Sequence, residues 1–254
     1  MNYETILLDK KDGVATITFN RMDKLNAANP TMFDELDGAL TDIEKDDDMR
    51  VVVLTGQGKA FSAGADVGRF EFGKIIQGME FINIVARPFL HFETIPKPVI
   101  AAVNGIAYGF GTGITLVCDI VVASEKAQFS TREINWGAIP IETLVRGFEI
   151  LGKHNISYMA LTADTIDAHE AKAVGLVNKV VPDDQLMVEV ERICNKLKTG
   201  APVAQAAIKR TLNRKCHEDW DFTVAMMPAI FATEDMAEAR KAFMEKRKPV
   251  FKGR

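Results

Sequence analysis

The chain has 254 residues, of which 47% are hydrophobic and 26% charged, and it carries a net charge of −4. These values are typical of a globular protein with a substantial core. They give no reason to expect nucleic acid or an anionic membrane as a partner, and no apolar run approaches the ~20 residues of a membrane-spanning helix. The N-terminus lacks the layout of a signal peptide. Because the three cysteines lack metal-like spacing, we expect a cytoplasmic protein with reduced thiols and no metal site.

The first half of the chain alternates strand and helix patterns. Residues 4–9 and 14–19 predict a β-hairpin, and the apolar spacing within residues 31–45 predicts a helix. This alternation favours an α/β fold with a mainly parallel sheet. After Pro140 the pattern becomes mostly helical. The remaining predicted elements are strands at 51–55, 99–103, 119–123 and 176–181, and helices at 79–92, 142–152, 155–162, 168–174, 183–199, 202–213, 216–231 and 234–245.

The stretch from Pro98 to Pro140 carries the main functional signal. An apolar run ends at Asn104-Gly105, and glycines follow at positions 109, 111 and 113 before a second apolar run begins at Ile114. A strand, a glycine turn and a helix start leave backbone N–H groups at the positive end of a helix dipole. Such a site suits a phosphate or the developing oxyanion of an activated carbonyl. A dinucleotide fingerprint is the less favoured alternative, because it requires glycine where Ile114 stands.

Six separated segments carry a resemblance to a known family. Each segment alone is a weak motif, but six in this order are specific. The segments are GVATITFNR…KLNA, VVVLTGQGKAFSAGAD, IPKPVIAAVNG, CDIVVASEKAQF, EAKAVGLVNKVVP and FMEKRKPVFK. On these segments the chain resembles the crotonase superfamily, the enoyl-CoA hydratase/isomerase family, over essentially its whole length.

The resemblance implies a crotonase-like spiral of repeated ββα units over residues 1–195, which contains the active site. A helical C-terminal region over residues 196–254 is implied to build trimers, so we expect a homo-oligomer, either a trimer or a dimer of trimers. The implied substrate is an acyl-CoA. Coenzyme A is part of that substrate, and no separate cofactor is expected.

Members of this family hold the thioester oxygen of an acyl-CoA between two backbone N–H groups. By position, the implied donors are the N–H of Ala65, in the SAGAD turn, and the N–H of Phe110, between Gly109 and Gly111. Glycine is usual at the second position. A backbone donor does not depend on its side chain, so the oxyanion hole is still expected, with the phenyl ring in or beside the acyl pocket. Stabilising an enolate-like thioester makes the α-proton labile and the β-carbon electrophilic.

The acid and base groups depart from the family pattern. Hydratases of the family generally use two glutamates, and by position the first falls on Gly113, which cannot titrate, and the second on Glu133. Glu133 is therefore the implied catalytic acid/base. Isomerases often place their carboxylate at the position of Ile141. The adjacent Glu142 is interpreted as an exposed glutamate at a helix N-terminus, with a second acid in the pocket as the alternative.

A single glutamate is compatible with several reactions. Hydration of an α,β-unsaturated enoyl-CoA is the leading one, and Δ3–Δ2 enoyl-CoA isomerisation is the alternative. The segment INWG (134–137) is similar to the hydroxycinnamoyl-CoA hydratase-lyases and favours an aromatic or alicyclic acyl group. Those lyases hold a phenol with tyrosines, however, where this chain has Trp220 and Phe222. A non-catalytic CoA-binding protein is the rival from another class.

Further residues complete the predicted site. Tyr108 is interpreted either as a pocket residue or as part of the core packing. Arg132 is interpreted either as a partner of Glu133 or as a solvated side chain. Asp66 is interpreted as a residue that fixes its turn through hydrogen bonds to the backbone. The basic tail, Lys246-Arg247-Lys248, is interpreted as a CoA-phosphate contact or as a solvated terminus. The predicted substrate-pocket residues are Tyr108, Gly109, Trp136, Ile141 and Glu142, and the implied CoA-binding residues are Lys24, Leu25, Ala27, Lys59, Ala60, Ala63 and Lys248.

Overall fold

A six-stranded sheet forms the centre of the computed structural model, which describes residues 3–69, 75–214 and 231–252. Its strands are β1 (Ile6–Lys11), β2 (Val14–Phe19), β3 (Val51–Gly56), β5 (Val99–Val103), β7 (Ile120–Ser124) and β10 (Lys179–Val181). The strand order is β1-β2-β3-β5-β7-β10, and only the first pair is antiparallel. This confirms the predicted hairpin and the mainly parallel sheet.

A second sheet of four short strands was not predicted. Its strands are β4 (Ala60–Ser62), β6 (Ile106–Tyr108), β8 (Gln128–Ser130) and β9 (Ile166–Asp167). Their order is β4-β6-β8-β9, with the last pair antiparallel. Strands of two or three residues are too short to show an alternating pattern in the sequence.

One unit recurs along the chain: a long strand in the first sheet, a short strand in the second, and then a helix. The three helices of this kind are α2 (Ile75–Thr94), α3 (Phe110–Leu116) and α4 (Ile141–Thr162). The described residues contain the unit three times, as β3-β4-α2, β5-β6-α3 and β7-β8-α4. The repeated ββα spiral that the resemblance implies is therefore confirmed.

The other helices agree broadly with the predicted ones. Helix α1 (Pro30–Glu44) is capped by the Asn29 side chain, whose Oδ1 accepts from the Met32 N–H at 3.0 Å. The two helices predicted at 142–152 and 155–162 form the single helix α4, interrupted at Gly152, which has a φ of 74°. The remaining described helices are α5 (Ala168–Ala173), α6 (Leu186–Lys198), α7 (Pro202–Leu212) and α8 (Glu234–Met244).

Part of the predicted C-terminal region lies outside the described residues. This applies to most of the helix predicted at 216–231, and with it to Cys216, Trp220 and Phe222. The division into residues 1–195 and 196–254 stays a prediction, and its boundary falls within α6. No described helix is long and apolar enough to cross a bilayer.

Both faces of the large sheet are buried. Val52, Leu54 and Ala101 belong to the main core, whereas Val53 and Ile100 pack with Val190 of α6 on the opposite face. A strand buried on both faces reads as a continuous apolar run, as Val51–Leu54 does. The large sheet is thus a rigid base for the loops that leave its strands.

Asn26 connects the loop before α1 to the small sheet. It is fully buried in a left-handed conformation with a φ of 58°. Its Nδ2 donates to the carbonyls of Gln57 and Ala60 at 3.0 and 2.8 Å, and its Oδ1 accepts from the Arg21 N–H at 2.9 Å. The Ser62 hydroxyl donates to the Asn26 carbonyl at 2.8 Å. One side chain therefore holds the 21–28 loop against β4.

Replacing Asn26 with alanine should destabilise the protein. The change leaves buried carbonyl acceptors without their donor, so we expect the free energy of unfolding to fall by ~2–4 kcal/mol. Urea denaturation measures this value. The exposed Asn195 of α6 supplies the control, since Asn195→Ala should change it by at most about 0.5 kcal/mol. Equal effects of the two substitutions would contradict the role of Asn26.

Candidate active site

Two backbone turns touch where the small sheet ends. The SAGAD turn follows β4 and the glycine turn follows the neighbouring strand β6. A Cβ atom added at Gly64 would lie 3.2 Å from the Tyr108 carbonyl oxygen, and one added at Gly109 would lie 3.6 Å from the Gly64 Cα. Both glycines have a positive φ, 111° and 51°. Such a close approach in these conformations favours glycine at both positions.

The residues that follow these two glycines, Ala65 and Phe110, line one cavity. Phe110 is the first residue of α3, so its N–H has no acceptor within the helix. Ala28 bridges the neighbours of Ala65: its N–H donates to the Gly64 carbonyl and its carbonyl accepts from the Asp66 N–H, both at 2.8 Å. The N–H of Ala65 itself therefore faces away from Ala28, because the direction of backbone groups alternates along an extended chain.

The Phe110 side chain lies mainly in the hydrophobic core. Its ring packs against Phe33, Phe89 and Phe19, with centroids 5.2, 5.5 and 5.9 Å away, and the residue is buried. The ring therefore packs in the core next to the cavity that Phe110 lines.

The described wall of the cavity is apolar except for two carboxyl groups. Among the described residues that line it, only Glu133 and Glu142 are titratable, and aromatic side chains supply much of the wall. Phe81 and Phe231 meet edge to face with centroids 5.3 Å apart. The other lining residues are Phe33, Ala65, Val67, Val85, Phe110, Trp136, Ala138, Ile139, Ile141 and Met236.

Glu133 begins the 3₁₀ turn Glu133–Trp136 that follows β8. Its Oε1 lies against Gly109, where an added Cβ would be 2.8 Å away. Its Oε2 is buried and has no hydrogen-bond partner among the described residues. Burial, and secondarily the charge of Glu142, raises the pKa of Glu133 to about 8.

The expectation that Glu142 is an exposed glutamate is wrong. It lies in the first turn of α4, is 8% exposed and lines the cavity. A Cβ added at Gly113 would lie 2.7 Å from the Glu142 Cβ, so Glu142 occupies the space in front of that glycine. Burial raises the pKa of Glu142 to about 7.

Some of the other predicted pocket residues line the cavity and others do not. Trp136 and Ile141 line the cavity, and the Trp136 ring also packs on Phe243, with centroids 4.5 Å apart. Tyr108 does not line it: its hydroxyl donates to Gln128 at 2.8 Å. The Arg132 guanidinium lies over the Tyr108 ring, 3.9 Å from its centroid, in a cation–π contact. Arg132 is therefore a partner of Tyr108 on the exposed surface.

The two internal segments that the resemblance assigns to CoA are hydrogen-bonded to each other. The Ala63 N–H donates to the Leu25 carbonyl at 2.9 Å, and Ala60 is bonded to Asn26. Asp66 forms an ion pair with Arg21 at 3.0 Å, which replaces the expected hydrogen bonds to its own turn. The remaining implied CoA residues are Lys24, Lys59 and Lys248, which are exposed, and Ala27, which is half-buried.

Comparisons with known proteins show the family of the chain. A family model described as Enoyl-CoA hydratase/isomerase matches residues 9–254. The chain belongs to that family. It is 38% identical to a short-chain-enoyl-CoA hydratase of Clostridium acetobutylicum, over 98% of this chain and 97% of the relative. It is 34% identical to a crotonyl-CoA hydratase of Syntrophomonas wolfei, over 99% of each chain.

Solved structures support the same assignment. A crystal structure of an enoyl-CoA hydratase from Mycobacterium avium subsp. paratuberculosis superposes with a TM-score of 0.88 at 29% identity, over 99% of this chain and all of that one. The prediction of an enoyl-CoA hydratase-like enzyme, a carbon–oxygen lyase of the crotonase superfamily, is thus confirmed. The described residues contain no cluster of His, Cys, Asp and Glu suited to a metal ion.

Replacing Glu142 with glutamine should stabilise the protein at alkaline pH. Its pKa is raised from 4.5 to about 7 in the folded protein, so the folded state keeps this proton over a pH range in which the unfolded chain loses it. The wild type therefore loses stability as the pH rises from 4.5 through 7. We expect Glu142→Gln to match the wild type near pH 4.5 and to exceed it by ~1–3 kcal/mol at pH 8.

Urea denaturation at the two pH values measures this difference. The matched control is Glu125→Gln, the same change at an exposed glutamate, for which we expect no pH-dependent difference. A glutamine variant at position 142 that is less stable than the wild type at pH 8 would contradict the burial of an unpaired carboxyl group.

Proposed function

We propose that this enzyme adds water across the double bond of an α,β-unsaturated enoyl-CoA thioester. The observation that carries the proposal is the apolar cavity that contains both backbone turns and Glu133. In this arrangement the N–H groups of Ala65 and Phe110 hold the thioester oxygen. Charge that develops on this oxygen meets fixed donors in a low-dielectric site, where each donor is typically worth ~3 kcal/mol of transition-state stabilisation.

Glu133 is the proposed acid/base. Its carboxyl group lies beside the glycine turn, and its raised pKa is close to neutral, which suits proton transfer at physiological pH. Lys24, Lys59 and the bonded loops around Asn26 are proposed to receive the CoA moiety, and Lys248 is proposed as a further phosphate contact. The exposure of the three lysines supports this assignment.

The acyl group is proposed to be compact. The aromatic walls, including Phe81, Phe231 and Trp136, favour the aromatic or alicyclic group that the INWG segment suggested. The names of two relatives, a short-chain-enoyl-CoA and a crotonyl-CoA hydratase, favour a short linear group instead. Comparison of crotonyl-CoA with a cyclic dienoyl-CoA decides between them.

A homo-oligomer in the cytoplasm is proposed as the working form, as a trimer or a dimer of trimers. Large apolar side chains that remain exposed on α4 and α7 support a partner surface. They include Phe148, Leu161, Val203 and Leu212, which are 59, 72, 82 and 71% exposed.

A turnover panel tests the proposed reaction. Crotonyl-, 3-enoyl-, hydroxycinnamoyl- and cyclic dienoyl-CoA are incubated with the wild type, Glu133→Gln and the exposed control Glu125→Gln, and the products are analysed by mass spectrometry. We expect a mass gain of one water with the wild type and the control. Removal of the acid/base should lower the rate of Glu133→Gln by ~10²–10⁴-fold.

Each of the other possible products identifies a different class of enzyme. An isomer of unchanged mass from 3-enoyl-CoA identifies an isomerase, and a shortened acyl product from hydroxycinnamoyl-CoA identifies a lyase. If the wild type binds CoA thioesters but converts none of them, the chain is a CoA-binding protein and the proposed reaction is wrong.

A further inference from the structure

Gly113 and Glu142 are complementary in shape. Gly113 is fully enclosed in α3, and the Cβ atom that any other residue would carry there lies 2.7 Å from the Glu142 Cβ, 3.4 Å from its Cγ and 3.6 Å from its Oε2. No side chain larger than hydrogen fits at position 113 unless Glu142 moves. The glycine therefore creates the space into which the first turn of α4 projects a carboxyl group.

Glu133 and Glu142 reach the cavity from different elements of the fold. Glu133 comes from the turn after β8 and touches Gly109, whereas Glu142 comes from α4 and touches Gly113. The two glycines lie one helical turn apart, and the Gly113 N–H donates to the Gly109 carbonyl at 2.9 Å. The two carboxyl groups are therefore neighbours above the start of α3.

No cation of the described residues neutralises these two carboxyl groups. Within the described part of the chain, neither forms an ion pair, and the other residues that line the cavity are all uncharged. The nearest arginine in sequence, Arg132, lies on the Tyr108 ring. Two unpaired carboxyl groups in an apolar cavity are unfavourable when both are ionised, and the arrangement favours a pair that holds one proton.

We propose that Glu142 is a second catalytic residue and that it shares one proton with Glu133. It supplies, from the first turn of α4, the carboxyl group that is absent from position 113 on α3. The inference rests on the proposed hydration and replaces its single acid/base with a two-carboxyl site built from different elements.

The two carboxyl groups together accept and donate the protons that hydration requires, so water is the only reactant besides the thioester. The ionised carboxylate removes a proton from water as the water oxygen bonds to the β-carbon. The electron pair of the double bond moves towards the thioester, whose oxygen carries enolate charge against the N–H groups of Ala65 and Phe110. The protonated carboxyl group then donates its proton to the α-carbon, and the thioester is restored. The pair keeps its net charge, with its remaining proton on the other carboxyl group.

The first test measures activity in matched variants. Glu142→Gln preserves size and removes the titratable group, so we expect kcat/KM for hydration to fall by ~10²–10⁴-fold, as for Glu133→Gln. Glu125→Gln is the control and should retain wild-type activity. In the double variant Gly113→Glu with Glu142→Gly, the Cβ atom that obstructs position 113 is removed and a carboxyl group returns from α3. We expect this double variant to be at least ~10-fold more active than Glu142→Gly alone.

The second test needs no substrate and separates catalysis from structural support. Selective ¹³C labelling of glutamate allows the carboxyl groups to be titrated by NMR, with assignment from the variants. Removing the Glu142 charge should lower the pKa of Glu133 from about 8, because that charge contributes to raising it. Burial remains in the variant, so the pKa should stay above 4.5. The pH profile of kcat/KM should lose one of its two limbs in either single glutamine variant.

Two results would overturn the inference, and they differ from failure of the hydration itself. A folded Glu142→Gln variant within threefold of wild-type kcat/KM, while Glu133→Gln is inactive, retains the hydratase and rejects the second carboxyl group. A slower Glu142→Gln variant with both limbs of its pH profile and an unchanged Glu133 titration shows structural support only. A wild type that hydrates none of the thioesters rejects the proposed function, and the role of Glu142 with it.

Discussion

The contact between the SAGAD turn and the glycine turn is the constraint on which the rest of the site depends. The Gly64 and Tyr108 backbones approach so closely that a Cβ at Gly64 would lie 3.2 Å from the Tyr108 carbonyl oxygen. The small sheet makes this approach possible, because β4 and β6 pair in parallel and both chains leave at the same edge. Ala65 and Phe110, the residues that follow the two glycines, then line one cavity. The large sheet, which is buried on both faces, is the base that these loops leave.

The cavity that these turns line determines the electrostatics of the site. Its walls are apolar, its carboxyl groups are buried without a cation among the described residues, and burial is the main cause of both raised pKa values. A site of this kind keeps protons near neutral pH and strengthens the interaction of a developing oxyanion with fixed backbone donors. It also makes the folded protein less stable as the pH rises. The buried carboxyl groups that suit proton transfer therefore lower the stability of the fold at alkaline pH.

Much of the fold could be predicted from the sequence, because its long strands are continuous apolar runs and its glycine turn has a distinctive pattern. The short strands β4, β6 and β8 could not, since three residues show no periodicity. The positions of Glu133, Ala65 and Phe110 at one cavity followed from the resemblance. The burial of Glu142 did not, because it depends on a contact with Gly113 across two elements. The missing side chain at position 113 was the available signal: an empty position in a packed core is filled from elsewhere.

A crystal structure of the Glu133→Gln variant with a bound enoyl-CoA tests the central claim most directly. The account predicts that the thioester oxygen lies about 2.7–3.2 Å from the backbone nitrogens of both Ala65 and Phe110. It also predicts that the double bond faces the substituted side chain at position 133 and the carboxyl group of Glu142. A thioester oxygen bound away from the two turns, with the cavity filled only by apolar contacts, would contradict it.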